Sequence, residues 1–345
     1  MGSPADVTVI TPLYDCVLYL ERCVASVQEQ TLPPTKHIIV DDCSTDGSYE
    51  LALALSTKYT RVPVRVLRTE RNGGPAWAAC SGIAAAETSH IALLGSDDSA
   101  MPDWLEVCVQ AIDADPACGA VGGGYWSRHE AYPDAVEILT PCVRWALGPT
   151  AAARRGLTPF ADSGCLIRLA AFRAVGGFDS SLRAGPFAEF LSRLAYSWRL
   201  RHVGRPLLHV LVRDGSVSRS RATYMVAAKA YIRMKARLMA RGYSFDAAKH
   251  ACSDWHPNVT RREAPSRAQR VSVGAAEFHR ATMLSIAGST SEARRLLRCA
   301  WALGYLRGPL AIHLALAYVP GGRHLRLLKH ACASLWGKWV YSRLS

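Results

Sequence analysis

Much of what usually identifies an α/β protein is missing from this 345-residue chain. Its 11 cysteines form no Cys-x-x-Cys pair and no zinc-ligand spacing, which argues against a zinc ribbon or a thioredoxin-like redox centre. They read as small buried apolar residues in a reducing compartment. No Gly-x-Gly-x-x-Gly follows the first apolar run and no Gly-Lys-Ser/Thr occurs, so the dinucleotide and P-loop readings lose their best support. No Gly-x-Ser-x-Gly elbow supports a hydrolase. No apolar run approaches the ~18–20 residues that span a bilayer, and the first residues lack a basic stretch followed by an apolar one. The expectation is a cytosolic protein, peripheral at most at the inner face of a membrane. Acidic residues are scarce in one region only: residues 199–345 hold 6 of them against 26 Lys and Arg, net +20, whereas residues 1–198 hold 22 against 15, net −7. Such asymmetry points the second half toward an anionic partner, with a membrane surface or a phosphorylated substrate preferred. Nucleic acid is disfavoured, because no stacking-aromatic motif or reading helix accompanies the charge.

What is present is a regular alternation. "VTVITPLYD", "KHIIVDDCSTDGS", "VPVRVLRTE" and "HIALLGSDD" read as strands, and the segments between them as helices. The α/β class with a doubly wound, mostly parallel sheet follows. In such sheets ligands bind beyond the carboxyl ends of the strands, where Asp41-Asp42 and Asp97-Asp98 both fall. Two adjacent carboxylates ending a buried strand resist desolvation unless they face water, a helix N-terminus or a cation. Between about Gly119 and Pro159 the pattern loosens into Gly, Pro and aromatics. After Arg213 it turns helical and basic: a long helix over residues 223–242, a polar linker over 250–270 and an αα-hairpin over 273–304.

Several of these stretches, taken in order, resemble a family-two glycosyltransferase of the GT-A fold. "VTVITPLYD" is similar to the family's opening strand and turn, and "IIVDDCSTDGS" to its second strand. "NGGPAWAACSGI" is similar to its Gly-led helix, "LLGSDD" to its metal motif, and "GCLIRLAAFRAVGGFDSSL" to its acceptor-side segment. The resemblance covers roughly residues 7–212. It implies a GT-A domain over 1–212, with a nucleotide-sugar half to about 118 and an acceptor half beyond; outside it, the pattern reads as a basic helix and linker over 213–270 and a helical region over 271–345. It also implies transfer of a sugar, UDP-linked as the best guess, to a glycan or lipid-linked acceptor in cell-envelope or exopolysaccharide synthesis, with inversion. By the same resemblance Tyr14 stacks on the base and Asp42 accepts from the uracil imide. Pro12 and Gly74 line the nucleotide site, Asp97 meets the ribose, and Asp98 binds the Mn²⁺ or Mg²⁺ that bridges the phosphates. Each has a plainer rival: Tyr14 as a turn aromatic, Asp42 as a turn residue, Asp98 as a helix cap.

Three departures stand out. Gly95 replaces the first acid of the metal motif, Ala79-Cys80 replace a polar pair, and Pro186-Phe187 stand where the family carries Glu and its catalytic Asp. Glu189, two residues on, is the expected surrogate base, with Asp179, Asp162 and His202 as other candidates. Its rival role is an i+4 pair with Arg193. If no base survives, the alternative is a catalytically silent nucleotide-sugar-binding or scaffold protein. Lys229, Arg233, Arg237 and Arg241 recur every four residues, a stripe that suits phosphate or simply water.

Overall fold

The computed structural model describes residues 4–130, 132–139, 148–179, 181–182, 185–213, 222–253 and 256. The αα-hairpin and the helical region over 271–345 lie outside the described residues, as does most of the linker. The first strand, β1 (Ala5–Leu13), is β-branched and almost wholly buried. α1 (Leu20–Gln28) then places Leu20, Cys23, Val24 and Val27 on its buried face, the i, i+3, i+4, i+7 spacing of an amphipathic helix. β2 (Pro34–Asp41), α2 (Ser48–Lys58), β3 (Val64–Arg68), α3 (Pro75–Ala84) and β4 (His90–Leu93) complete the regular half. Gly82 lets α3 lie flat on the sheet, since a Cβ there would come within 2.7 Å of Ile10 and 3.0 Å of Val40.

The sheet is mixed, ordered β3-β2-β1-β4-β8-β6-β9-β5, and its first four strands are parallel to one another. From β1 the chain winds outward through β2 and β3, then returns to set β4 on the other side of β1. That reversal makes the gap between the carboxyl ends of β1 and β4 the topological switch point, where open α/β sheets place their ligands. The short β5 (Ser99–Ala100) and α4 (Trp104–Asp113) follow β4.

The loosened stretch after Gly119 is a surprise. It forms β6 (Cys118–His129) and β7 (Tyr132–Leu139), an antiparallel pair, and then α5 (Pro149–Arg154). Gly122 and Gly123 belong to β6 because Phe160 and the Arg205 carbonyl press against the backbone there: added Cβ atoms would come within 2.4 and 2.7 Å of them. Tertiary contact overrides the low strand propensity of glycine. β8 (Leu166–Arg168), α6 (Leu169–Ala174), α7 (Pro186–Ser197) and the fourteen-residue β9 (Arg199–Val212) close the sheet, β9 running parallel to β6. α8 (Ala222–Ala240) and α9 (Phe245–Ala251) pack on α7 through Leu182, Tyr231, Ile232 and Cys252.

One face of the sheet is covered by a core containing Ile10, Ile83, Ile91 and five phenylalanines, the other by Val7, Val9, Leu94, Trp104 and Leu207. The eight described cysteines that could be assigned are all free. Among the described residues no helix is long and apolar enough to cross a membrane.

Candidate functional site

The β1–α1 and β2–α2 turns flank the switch point and are tied to each other by reciprocal hydrogen bonds. The amides of Asp15, Cys16 and Val17 donate to Ser44 Oγ (3.1 Å), Ser48 Oγ (2.8 Å) and Asp46 Oδ2 (3.0 Å), and the Thr45 amide donates back to Asp15 Oδ1 (2.8 Å). Asp15 and Cys43 adopt positive φ to make these turns. Buried amides that find side-chain acceptors hold an irregular loop as firmly as a ladder holds a strand. The floor beneath any ligand here is therefore rigid.

Asp42 is 2% exposed, and its carboxylate accepts from Thr69 Oγ1 (2.9 Å), the Gly73 amide (3.0 Å) and the Gly74 amide (2.6 Å). It fastens the end of β2 to the turn that opens α3. Gly74 has φ +91° and no atom near the position a Cβ would take, so glycine serves the backbone there. The turn reading and the nucleotide reading of Asp42 are compatible, since a carboxylate offers about four lone-pair sites and three are in use. Pro12 is half-buried near the end of β1, in register with Val40. Tyr14 is 44% exposed, and the charge of Asp15 beside it raises its phenol pKa. An exposed aromatic on a fixed turn next to Asp42 suits a stacking surface.

The acid pair is divided. Asp98 is 5% exposed; its Oδ1 accepts from the Leu211 amide (3.3 Å), and its Oδ2 leans over Gly95, where a Cβ would come within 2.8 Å. Burial first, and the Asp97 charge second, hold its carboxyl well above the usual range. Asp97 faces outward and is held by Arg213 from the end of β9, Nε to Oδ2 at 2.9 Å. Sequence reading missed this arginine, whose partner lies 116 residues away. The same guanidinium donates to the Asp15 carbonyl (3.4 Å) and Cys16 Sγ (2.8 Å) and lies 5.3 Å from the Tyr19 ring. Arg22 of α1 donates to the Asp97 carbonyl (3.0 Å).

The divalent ion expected at Asp98 fits these residues poorly. Among the described residues no group of three His, Cys, Asp or Glu can hold a metal. The outward oxygen of Asp97 is already taken by a cation. A divalent ion bound at the same carboxylate would sit beside the Arg213 guanidinium, and like charges repel.

The base position is equally altered. Phe187 is 6% exposed in a cluster with Phe160, Phe178 and Phe190, at ring distances of 6.2, 6.4 and 6.4 Å. Glu189 is 1% exposed and lies in a buried ion cluster. Its Oε1 accepts from Lys235 Nζ (2.7 Å) and Arg193 Nε (2.9 Å), and its Oε2 from Arg193 Nη2 (2.7 Å). Both carboxylate oxygens are occupied and sealed from solvent, out of reach of an acceptor hydroxyl, so the surrogate-base assignment finds no support in this geometry, whereas the i+4 pairing with Arg193 is present. Asp179 pairs with Lys249 (3.0 Å), and His202 Nδ1 accepts from the Gly204 amide (2.9 Å). Asp162 differs: it is exposed, on the loop before β8, next to Ser163, whose Oγ accepts from the Gly95 amide (2.9 Å). Its charge is felt at Asp98.

The parallel run β3-β2-β1-β4, continued by a mixed half, with Tyr14, Asp42 and Asp97 just beyond the ends of β1, β2 and β4, is a GT-A architecture. Two solved structures share that architecture. S. aureus TarS 1-349 in complex with UDP-GlcNAc matches with TM-score 0.53 at 15% identity, covering 88% of this chain and 93% of that one. Mannosyltransferase PcManGT from Pyrobaculum calidifontis, in complex with GDP-Man and Mn²⁺, matches with TM-score 0.54 at 17% identity, over 97% and 88% of the two chains. At these identities the likeness speaks for the fold. In sequence, the putative teichuronic acid biosynthesis glycosyltransferase TuaG of Bacillus subtilis (strain 168) is 39% identical over 102 residues, 29% of this chain and 39% of TuaG. The chain thus spans about two fifths of the length of that relative. Residues 8–175 match the family model described as Glycosyl transferase family 2. Over those residues, just under half of the chain, it is similar to that family, and its fold is the GT-A one.

Proposed function

We propose that this protein transfers a glycosyl group from a nucleotide sugar, with UDP-sugar as the first choice, to a glycan or lipid-linked acceptor in cell-envelope or exopolysaccharide synthesis. The observation that carries the reading is the convergence of Tyr14, Asp42 and Asp97 on the switch point between β1 and β4. Tyr14 stacks on the base, Asp42 accepts from it with its remaining lone pair, and Asp97 meets the ribose. The names of TuaG and the UDP-GlcNAc complex of TarS favour a cell-wall role and a uridine donor.

In the proposed reaction the acceptor hydroxyl attacks the anomeric carbon as the bond to the β-phosphate oxygen breaks. The electron pair leaves with the nucleoside diphosphate, and configuration inverts. Asp162, exposed beside the acid pair, takes the hydroxyl proton in place of the missing Asp. The divalent ion is left out of this scheme, because Arg213 already holds Asp97. Release of UDP from a panel of UDP-sugars in the presence of a lipid-linked or oligosaccharide acceptor tests the reading. UDP binding without any turnover would favour the silent binding protein that Phe187 suggests.

The stripe on α8 and just beyond it supports a second element. Lys229, Arg233, Arg237 and Arg241 are all exposed. Each basic residue near an anionic leaflet contributes about 1 kcal/mol, an attraction that fades within a Debye length. The full-length protein is expected to sediment with anionic but not neutral vesicles. That binding should weaken steeply with salt and in an Arg233→Glu/Arg237→Glu variant. Equal binding to neutral vesicles would return the stripe to a solvated face.

A further inference from the structure

We infer that Arg213 is the cation of the donor site: its guanidinium binds the nucleotide diphosphate and does there what a divalent metal would otherwise do. This rests on the nucleotide-sugar reading above and adds the identity of the group that stabilises the leaving diphosphate. Arg213 directly follows β9 and reaches the segments beyond β1 and β4, the position a diphosphate must occupy if the base lies on Tyr14 and the ribose at Asp97. The Nε bond to Asp97 (2.9 Å) fixes the plane of the guanidinium, and its Nη groups are turned toward the Asp15–Cys16 turn. Two of its five N–H groups are not used by these three bonds, and the paired, planar donors of arginine match phosphate oxygens.

The surroundings agree. The Arg213 and Asp97 side chains are 17% and 21% exposed, so the pair is partly desolvated yet open on one side. Asp97 neutralises Arg213 only once, and Arg22 adds a second cation where it donates to the Asp97 carbonyl. An arriving diphosphate therefore meets two guanidinium groups at the Asp97 segment, Arg213 and Arg22. Asp98 does not add to the negative charge of the opening: it is buried under Gly95, with the Leu211 amide on its Oδ1. As the glycosidic C–O bond breaks, the charge that develops on the β-phosphate oxygen falls to these fixed N–H donors, and no proton has to move.

The test is calorimetric binding of UDP and GDP to the full chain, in EDTA and in Mn²⁺, with uridine and guanosine as phosphate-free controls. The wild type should bind its preferred diphosphate equally, within about twofold, with or without metal. Arg213→Ala should weaken that binding in EDTA by about 10- to 100-fold, the loss expected of charge-assisted bonds to phosphate. Binding of the matching nucleoside should be unchanged, which also shows the variant is folded. Arg213→Lys should fall in between. A tenfold or greater tightening of the wild type by Mn²⁺ would overturn the proposal and leave the nucleotide reading standing. So would an unchanged Arg213→Ala, or equal losses for nucleoside and diphosphate, which would mark a purely structural arginine. Failure of the wild type to bind any nucleoside or diphosphate would sink the nucleotide reading and this proposal together.

Discussion

Glu189→Gln is expected to cost about 3–5 kcal/mol of stability, the range for removing one partner of a buried ion cluster. At roughly 2–4 °C per kcal/mol for a domain of this size, Tm should fall by about 6–20 °C. Among the described residues Glu189 is the carboxylate bonded to both cations, Arg193, 6% exposed, and Lys235, 2% exposed. The extra positive charge is tolerated because the Phe245 ring lies 4.8 Å from the Arg193 guanidinium and 4.3 Å from Lys235 Nζ. The carbonyls of Val175 and Gly177 also accept from Arg193. Rings and carbonyls soften one excess cation; two are beyond them. The control is the exposed pair of Lys58 and Glu21, whose removal should leave Tm unchanged. Thermal unfolding followed by circular dichroism decides the matter. A Glu189→Gln variant with native Tm and depressed turnover would reverse the conclusion and restore Glu189 as a base.

Asp162→Asn should lower kcat by about 10²–10⁴-fold, the range for loss of a general base, while UDP affinity and Tm stay near wild type. The reasoning is by position. Glu189 is locked in its cluster, Asp179 holds Lys249, and Phe187 is packed among rings, whereas Asp162 is exposed on the loop that touches Gly95 at the acid pair. Its backbone carbonyl accepts from the Cys165 amide (3.3 Å), so the loop is anchored while the carboxylate faces solvent. Asparagine keeps size and polarity and removes the ability to take a proton. Asp162→Glu supplies the second readout, because a longer side chain that keeps the carboxylate should restore part of kcat. Wild-type kcat in Asp162→Asn would remove it from the reaction.

The parts legible in the sequence are those whose cause is local. β1, β2 and β4 are short apolar runs because both their faces are covered, and each ends in acids or a turn at the switch point. The placement of Asp42 and Asp97 just beyond the ends of β2 and β4 follows from the same strand boundaries. The i+4 relation of Glu189 and Arg193 is likewise visible, since helical spacing makes it so. What could not be read depends on distant chain. Gly122 and Gly123 look like loop residues until Phe160 and Leu207 lie across them. Lys235 comes from 46 residues away to complete the Glu189 cluster, and nothing in "YIRMKARL" distinguishes it from its exposed neighbours Arg233 and Arg237. Arg213 is a lone basic residue after an apolar strand, and its meaning exists only because β9 runs beside β6 toward the acid pair.

The Glu189 cluster also bears on what counts as one folding unit. Its carboxylate lies on α7, inside the half of the chain that builds the sheet, and one of its two cations lies on α8, beyond it. With the ring of Phe245 closing over both cations, the contact resembles the centre of a subunit interface more than a hinge between a catalytic body and a tail. A backbone break between β9 and α8 would accordingly leave two pieces that remain associated, held by a charged joint that neither piece could keep dry alone.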